Sequence, residues 1–192
     1  MAIHQMKKWV IFLLLFSSSV FANMLSFSRL PSILSGDFLG YPLEKVQQSM
    51  DLYDCGLEEE NREFCSDVIK YYQTDVEVKI LSENQLVSSI ELRAPFSANA
   101  YSDLQLNLRK DGYSLSEATV EGSNYDVIAA LKHKPMKQVN REVVLFLNSG
   151  KLSSDKMLLW RPKATYFDPI QNRGVSFQSN HKGIVIRFTR SF

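Results

Sequence analysis

The chain has 192 residues, of which 45% are hydrophobic, 22% are charged and 11% are aromatic. Its few glycines (8) and prolines (6) exclude a collagen-like or low-complexity chain, and its hydrophobic content argues against disorder as the main state. The formal net charge is +1 and we find no concentrated basic face, so we do not expect nucleic acid as a partner.

The first 22 residues have the three parts of a secretory signal peptide. Lys7 and Lys8 form the basic part, the run from Trp9 to Phe16 is apolar, and small residues lead to Ala22, after which we expect cleavage. The apolar run is shorter than the roughly 20 residues that cross a bilayer as a helix, so we expect no stable membrane span. We therefore predict an exported, periplasmic protein with one domain over residues 23–192.

Cys55 and Cys65 are the two cysteines of the chain. An exported chain with one pair most simply forms one disulfide, although a redox pair and metal ligands are the alternatives. The spacing is not C-x-x-C, and no spacing links His133 and His181, the two histidines that follow the predicted signal peptide. We therefore predict a structural disulfide and neither a metal-ligating nor a cofactor-binding residue.

Residues 23–35 are predicted to be an irregular lead-in. A short amphipathic helix is predicted next, because Leu43, Val46 and Met50 follow Pro42 at spacings of three and four. A second helix or helical turn, clipped by the disulfide, is predicted from apolar residues at helical spacing, namely Phe64, Val68, Ile69 and Tyr72.

The middle of the chain predicts a hairpin, a helix and a strand in that order. Asp75–Leu81 and Leu86–Arg93 alternate apolar and polar residues on either side of a turn-like sequence. A helix of about three turns follows, with Leu104 and Leu108 between Tyr101 and a stop at Gly112, and then a strand over residues 113–120.

A further short helix is predicted before Pro135, because Ser123 and Asp126 resemble a capping box ahead of apolar residues. The last third then predicts a sheet from four β-like runs, namely Val143–Leu147, Met157–Trp160, Val175–Gln178 and Ile184–Thr189. The order of elements indicates an α+β fold with a largely antiparallel sheet, two to four short helices and one disulfide.

A search for catalytic motifs finds neither a G-x-S-x-G nucleophile elbow nor an S-x-x-K motif. His133 follows a basic helix end and His181 lies in a turn-like sequence, and neither has a partner in sequence that would position it as a base. We therefore predict no catalytic residue.

Charged and aromatic clusters are the remaining candidates. The acidic cluster lacks the pattern of a calcium loop and is interpreted as a solvated face, or else as a rim for a cationic peptidoglycan-cleaving enzyme; it comprises Glu58, Glu59, Glu60 and Glu63. The basic residues are interpreted as solvated charge, with anionic lipid or an acidic protein as alternatives; they are Lys132, Lys134, Lys137, Arg141, Lys151, Lys156, Arg161 and Lys163. Core packing is favoured over a contact patch for Trp160, Tyr166 and Phe167.

The stretch Phe38–Val46 has a Leu-Gly-x-x-Leu-x-x-Val opening, and paired cysteines, a hairpin and the Tyr101–Gly112 helix follow it. This combination resembles uncharacterised exported proteins of Gram-negative bacteria, over roughly residues 36–115. The resemblance implies a location in the envelope and a small α+β module, and it implies no activity.

These observations lead to a functional hypothesis. We expect a soluble periplasmic, non-enzymatic binding protein, an inhibitor or immunity-type protein that acts on an envelope-active hydrolase or toxin, because such a plug requires a rigid surface and no reaction centre. The expected partner is another envelope protein. An envelope assembly or maintenance factor is the alternative. The third hypothesis is a small outer-membrane barrel, suggested by the alternating strand before Phe192, or a hydrolase without a recognisable motif.

Overall fold

The computed structural model describes residues 39–48, 51–56, 62–167 and 173–190. The predicted signal peptide, the lead-in at residues 23–35 and the acidic residues Glu58–Glu60 lie outside the described residues, as do Met50 and Phe192. The helices are α1 (Leu43–Gln47), α2 (Ala98–Lys110), α3 (Val127–Leu131) and α4 (Met136–Leu147), with a 3-10 turn at Lys163–Thr165. The strands are β1 (Tyr53–Asp54), β2 (Glu63–Cys65), β3 (Ile69–Tyr71), β4 (Thr74–Glu83), β5 (Leu86–Ala94), β6 (Tyr113–Val120), β7 (Ser123–Asp126), β8 (Lys156–Pro162), β9 (Arg173–Asn180) and β10 (Gly183–Arg190).

The described strands form one antiparallel sheet in the order β1-β2-β4-β5-β10-β9-β8-β6-β7. β3 also pairs with β4, so that β2 and β3 occupy successive parts of the same edge of β4. Strand β10 lies between β5 and β9 and thereby joins the part of the sheet formed by β1–β5 to the part formed by β6–β9. The α+β fold with a largely antiparallel sheet, short helices and one disulfide is therefore confirmed.

Alternation along the strands separates a core face of the sheet from an outer face. On β4 the side chains of Val76, Val78 and Ile80 are buried, whereas the intervening positions are partly or fully exposed. The helices α2 and α4 contribute to the same buried cluster, α2 through Leu104 and Leu108. The outer face is the opposite side of the sheet, and its side chains are mostly polar.

The predicted hairpin and the helix that follows it are confirmed. β4 and β5 pair from Glu77 opposite Arg93 to Glu83 opposite Leu86. Helix α2 begins after Ser97, whose hydroxyl accepts a hydrogen bond from the backbone N–H of Ala100 at 3.0 Å. It ends before Gly112, whose φ of +86° is the left-handed conformation that glycine adopts without steric cost.

The predicted disulfide is also confirmed. It joins Cys55 to Cys65, with the two Cα atoms 5.8 Å apart. Cys65 lies in β2 and is paired with Tyr53 of the edge strand β1. The bridge therefore fastens Cys55, the residue after β1, to β2 at this edge of the sheet.

The prediction of a second helix near the disulfide is wrong. Phe64 lies in β2 and Ile69 in β3, whereas Tyr72 lies in the turn that follows, with a φ of +55°. The backbone between the two strands also remains against β4, because the amide of Ser66 donates to the carbonyl of Val78. The edge of β4 supplies hydrogen bonds to the backbone of this segment. The spacing of apolar residues along the sequence carries no information about such a distant partner.

Two local predictions in the second half are corrected. Val143–Leu147 was predicted as a strand and forms the last turns of α4, because Val139 and Val143, four residues apart, are buried on one side of a helix. Ser123 lies in β7 and does not cap a helix. Asp126 is itself the cap of α3, and its carboxylate accepts from the N–H of Ala129 at 2.8 Å.

The strands predicted at residues 113–120, 157–160, 175–178 and 184–189 are confirmed within β6, β8, β9 and β10. No helix of the described residues is long and apolar enough to cross a bilayer.

Candidate binding surface

Helix α4 is anchored to the core by one side only. Val139 is fully buried and Val143 is nearly so, and Phe146 and Leu147 pack partly against the same cluster. Full burial of a valine side chain stabilises a fold by about 1.5–3 kcal/mol relative to an exposed one, so these contacts hold the helix firmly against the sheet. The ring of Phe146 also lies 5.6 Å from the ring of Tyr125, centroid to centroid.

A carboxylate ties the flank of α4 to its neighbours. Glu142 accepts hydrogen bonds from the Lys134 ammonium at 2.7 Å, the Tyr125 hydroxyl at 2.7 Å and the Gln138 amide at 2.9 Å. The bonds from Lys134, Tyr125 and Gln138 lower the pKa of Glu142 to about 2, so the group is ionised throughout the physiological range. The helix is therefore fixed in position by polar contacts as well as by packing.

The side of α4 that faces away from the core carries apolar residues in solvent. Val144 is 57% exposed and Leu145 is 63% exposed. Lys137 and Arg141 precede them at the spacing of one helical face, because residues three and four apart are neighbours on a helix. We call Lys137, Arg141, Val144 and Leu145 the α4 face.

The surroundings of the α4 face carry positive charge. Lys137 and Arg141 are exposed, as are Lys132 before the helix and Lys151 after it, and none of the four forms an ion pair with a described residue. Glu142 is the acidic residue of this helix, and Lys134 neutralises it. The face therefore combines apolar side chains with uncompensated basic ones.

The loop after α4 extends the exposed apolar surface and is fixed by a buried lysine. Leu152 is 44% exposed. The ammonium of Lys156, whose residue is 4% exposed, donates to the carbonyls of Lys151 and Leu152 at 2.5 and 2.9 Å and lies 5.6 Å from the centre of the Tyr101 ring. Burial lowers the pKa of Lys156.

The interpretation of Lys156 as solvated charge is therefore wrong. Buried and more exposed residues alternate along β8, so that Lys156 points to the core face together with Leu158 and Trp160. The two carbonyls compensate part of the cost of burying the ammonium. In contrast, Lys163 is exposed, as predicted.

The two histidines lie in turns. His133 is exposed after α3, and its backbone N–H donates to the carbonyl of Ala130 at 3.1 Å. His181 is exposed in the turn between β9 and β10, as the hairpin-like sequence predicted. Within the described ranges, no three His, Cys, Asp or Glu side chains come together in a way that could hold a metal ion.

The described part of the acidic cluster is Glu63. Its carboxylate lies 2.7 Å from the ammonium of Lys79 on the neighbouring strand β4. Such a half-exposed pair contributes little to stability and compensates the charge that an acidic rim would present.

The aromatic cluster divides between the core and the surface. Trp160 and Tyr166 are buried, as predicted, and the Tyr166 hydroxyl donates to the carbonyl of Leu115. Phe167 was also expected in the core and is 67% exposed, with its ring packed edge-on against that of Tyr166 at 5.0 Å. It follows the 3-10 turn, where the chain leaves the sheet.

The outer face of the sheet carries a buried carboxylate between two arginines. Glu91 on β5 is 4% exposed and accepts from the Arg93 Nε at 2.6 Å and from the Arg187 guanidinium at 2.5 and 2.9 Å. Burial raises the pKa of Glu91, but the bonds from Arg187 and Arg93 outweigh this effect and the pKa is lowered overall. This cluster joins β5 to β10 and is satisfied internally.

Two tyrosines hold the β3–β4 turn against the end of α2. The hydroxyls of Tyr71 and Tyr72 both donate to the carboxylate of Asp111, the residue after α2. Burial and this carboxylate raise the pKa of Tyr72 to about 12. The arrangement uses all three side chains in mutual contacts, so we assign it to the fold.

Sequence reasoning missed the apolar part of the α4 face. Val144 and Leu145 were placed in a strand of the C-terminal sheet, where burial is expected. The available signal was the pair Val139 and Val143, whose spacing of four leaves Val144 and Leu145 on another side of a helix. The basic residues Lys137 and Arg141 were identified, but without their apolar neighbours.

Comparison of the chain with known protein families, with curated proteins and with solved structures found no match.

Proposed function

We propose that this chain is an exported protein that acts by binding another protein of the bacterial envelope, as an inhibitor or immunity-type protein of a hydrolase or toxin. The observation that carries the proposal is the pair Val144 and Leu145, which is exposed in the last turn of α4, a helix whose other side is packed against the core. Exposed apolar side chains on a rigid element are typical anchors of protein interfaces, because their burial costs little conformational entropy.

Export is supported by the signal-peptide pattern of residues 1–22 and by the Cys55–Cys65 disulfide. Disulfides persist in oxidising compartments and are rare in the cytosol. The resemblance to exported proteins of Gram-negative bacteria, carried by Leu39, Gly40, Leu43 and Val46, supports the same location.

Inhibition is favoured over other kinds of binding because the candidate surface is preformed on a helix that the core holds in place. A helix of 12 residues that projects Val144 and Leu145 can enter a groove of a partner. A plug of this kind blocks access of a substrate without any chemistry of its own.

The proposal is tested by affinity purification of the full chain, exported from its own host with a C-terminal tag, followed by mass spectrometry. We expect one envelope hydrolase or toxin in stoichiometric amount with the wild type, and inhibition of that enzyme by the purified chain. Leu145→Asp is expected to lose the partner, whereas Gln178→Asp, an exposed change on the outer face of the sheet, is expected to retain it. Retention of membrane assembly components instead would favour an assembly factor. Equal retention of the partner by both variants would refute the assignment of the α4 face as the binding surface.

A further inference from the structure

We infer that the partner of the α4 face is a protein with an apolar groove rimmed by carboxylates, an inference that rests on the proposed function. Lys137 and Arg141 lie one helical turn apart and precede Val144 and Leu145 on the same side of α4. A complementary surface therefore needs an apolar pocket for the two aliphatic side chains and acidic groups toward the N-terminal part of the helix.

The surroundings of α4 carry more positive charge than the net charge of the whole chain would suggest. The chain as a whole carries a formal net charge of +1. At the N-terminal part of α4, three exposed basic side chains (Lys132, Lys137 and Arg141) form no ion pair with a described residue, and the carboxylate of Glu142 is already bound by Lys134. Such a local excess steers an oppositely charged partner and disfavours a basic one.

A second copy of this chain is a poorer occupant. In a two-fold symmetric dimer through α4 the same patch meets itself, so that Lys137 and Arg141 of both copies are brought into one interface. Like charges at such an interface are repulsive, and two aliphatic side chains per copy provide little compensation.

A lipid surface is also a poorer occupant. Helices that lie in a bilayer interface bury a continuous apolar side. The side of α4 that carries Val139 and Val143 is already covered by the core, and the exposed apolar residues of the helix, Met136 at the start and Val144 and Leu145 in the last turn, have Lys137 and Arg141 between them. Two aliphatic side chains match a groove better than they match a bilayer.

The N-terminal part of this chain fits the surface poorly as well. Residues 1–38 contain a single acidic residue, Asp37. The described chain starts beside the β4–β5 turn, where the N–H of Gly40 donates to the carbonyl of Val87. By the register of the sheet, this turn is at the opposite strand ends from Lys156 and the loop after α4.

The inference is tested by photo-crosslinking in the full chain, with p-benzoylphenylalanine in place of Asn148, which lies on the same helix side just after α4. We expect crosslinks to a partner protein, mapped to peptides in which Asp or Glu flanks apolar residues. The crosslink yield should fall at least tenfold in Lys137→Glu/Arg141→Glu, and 0.5 M salt should weaken the wild-type crosslink. The matched control Lys45→Glu/Lys70→Glu changes the net charge equally, on α1 and on β3 at the β4 side of the sheet, and should retain the yield.

Each other outcome has a defined meaning. Loss of the crosslink in Leu145→Asp but not in Lys137→Glu/Arg141→Glu overturns the acidic groove and leaves the proposed function intact. A crosslink to a second copy of the chain overturns the inference, as does binding of the purified chain to phosphatidylglycerol vesicles that the double reversal abolishes. The absence of any protein crosslink in the wild type refutes the proposed function itself. Far-ultraviolet circular dichroism shows whether each variant is folded.

Discussion

Replacement of Glu91 by glutamine tests the account of the outer face most directly. The substitution keeps the shape of the side chain and removes its charge, so that Arg93 and Arg187 lose the carboxylate to which they donate. Because the glutamine amide also presents donors, one of the two arginines faces a group that cannot accept its hydrogen bond. The cluster that joins β5 to β10 is therefore broken without creating a cavity.

The expected loss of stability in Glu91→Gln follows from the burial of this side chain. Glu91 is buried, with a side-chain exposure of 6%, whereas the side chains of Arg93 and Arg187 are 53% and 46% exposed. A hydrogen bond to a charged group contributes about 1.5–3 kcal/mol, but water can replace part of the contacts of the half-exposed arginines. We therefore expect a loss of about 2 kcal/mol in the free energy of unfolding, which lowers Tm by roughly 4–8 °C for a chain of this size.

The pH dependence gives the assay a second readout. The folded-state pKa of Glu91 lies below its ordinary value of 4.5, so the carboxylate contributes stability that is present above that value and is lost as the pH falls through the folded-state pKa. Urea unfolding at pH 7 and at successively lower pH values measures both effects. The difference between wild type and Glu91→Gln should narrow as the pH falls.

Glu77→Gln is the matched control, because Glu77 is exposed on the neighbouring strand, opposite Arg93. It should change stability by about 0.5 kcal/mol or less. If Glu91→Gln is as stable as this control at pH 7, or if its difference from the wild type does not change with pH, the reasoning about the buried carboxylate is refuted.

Three further predictions concern the fold. The double variant Cys55→Ser/Cys65→Ser should lose about 2.5–3 kcal/mol in urea unfolding through the greater entropy of the unfolded chain, and reduction of the wild type should reproduce this loss; an unchanged midpoint would contradict it. Leu104→Ala removes a side chain that is 1% exposed and should cost about 2–5 kcal/mol, whereas Leu106→Ala, at a site 50% exposed, should cost far less; equal costs would place the core elsewhere. The pKa of Tyr72 is raised to about 12, so the stability that its hydrogen bond to Asp111 contributes is present below pH 10 and is lost as the pH rises toward 12. The free energy of unfolding of Tyr72→Phe should therefore decline less steeply at alkaline pH than that of the wild type. Equal slopes would argue against the hydrogen bond.

The predictions that succeeded depend on local patterns. The alternation of Val76, Val78 and Ile80 with polar residues defines a half-buried strand without knowledge of its partner. Leu104 and Leu108 similarly define one side of a helix that Gly112 then ends. In these segments the local preference and the tertiary contacts agree.

The predictions that failed depend on contacts with distant residues. Phe64 and Ile69 have helical spacing, yet the free edge of β4 pairs with their backbone. Val143–Leu147 is an apolar run that fits a buried strand as well as a helix, and its period alone cannot distinguish them. Lys156 was interpreted as a solvated residue because no nearby residue shows that the carbonyls of Lys151 and Leu152 will receive its ammonium.

The amino-acid sequence by itself determined the α+β class, the hairpin and most of the strands, because alternation and helical spacing are properties of neighbouring residues. A single pair of cysteines behind an export signal also made their bridge the simplest outcome. The tertiary structure alone decided which side of α4 faces the core. Only that choice leaves Val144 and Leu145 in solvent beside Lys137 and Arg141, because exposure depends on what the rest of the fold covers.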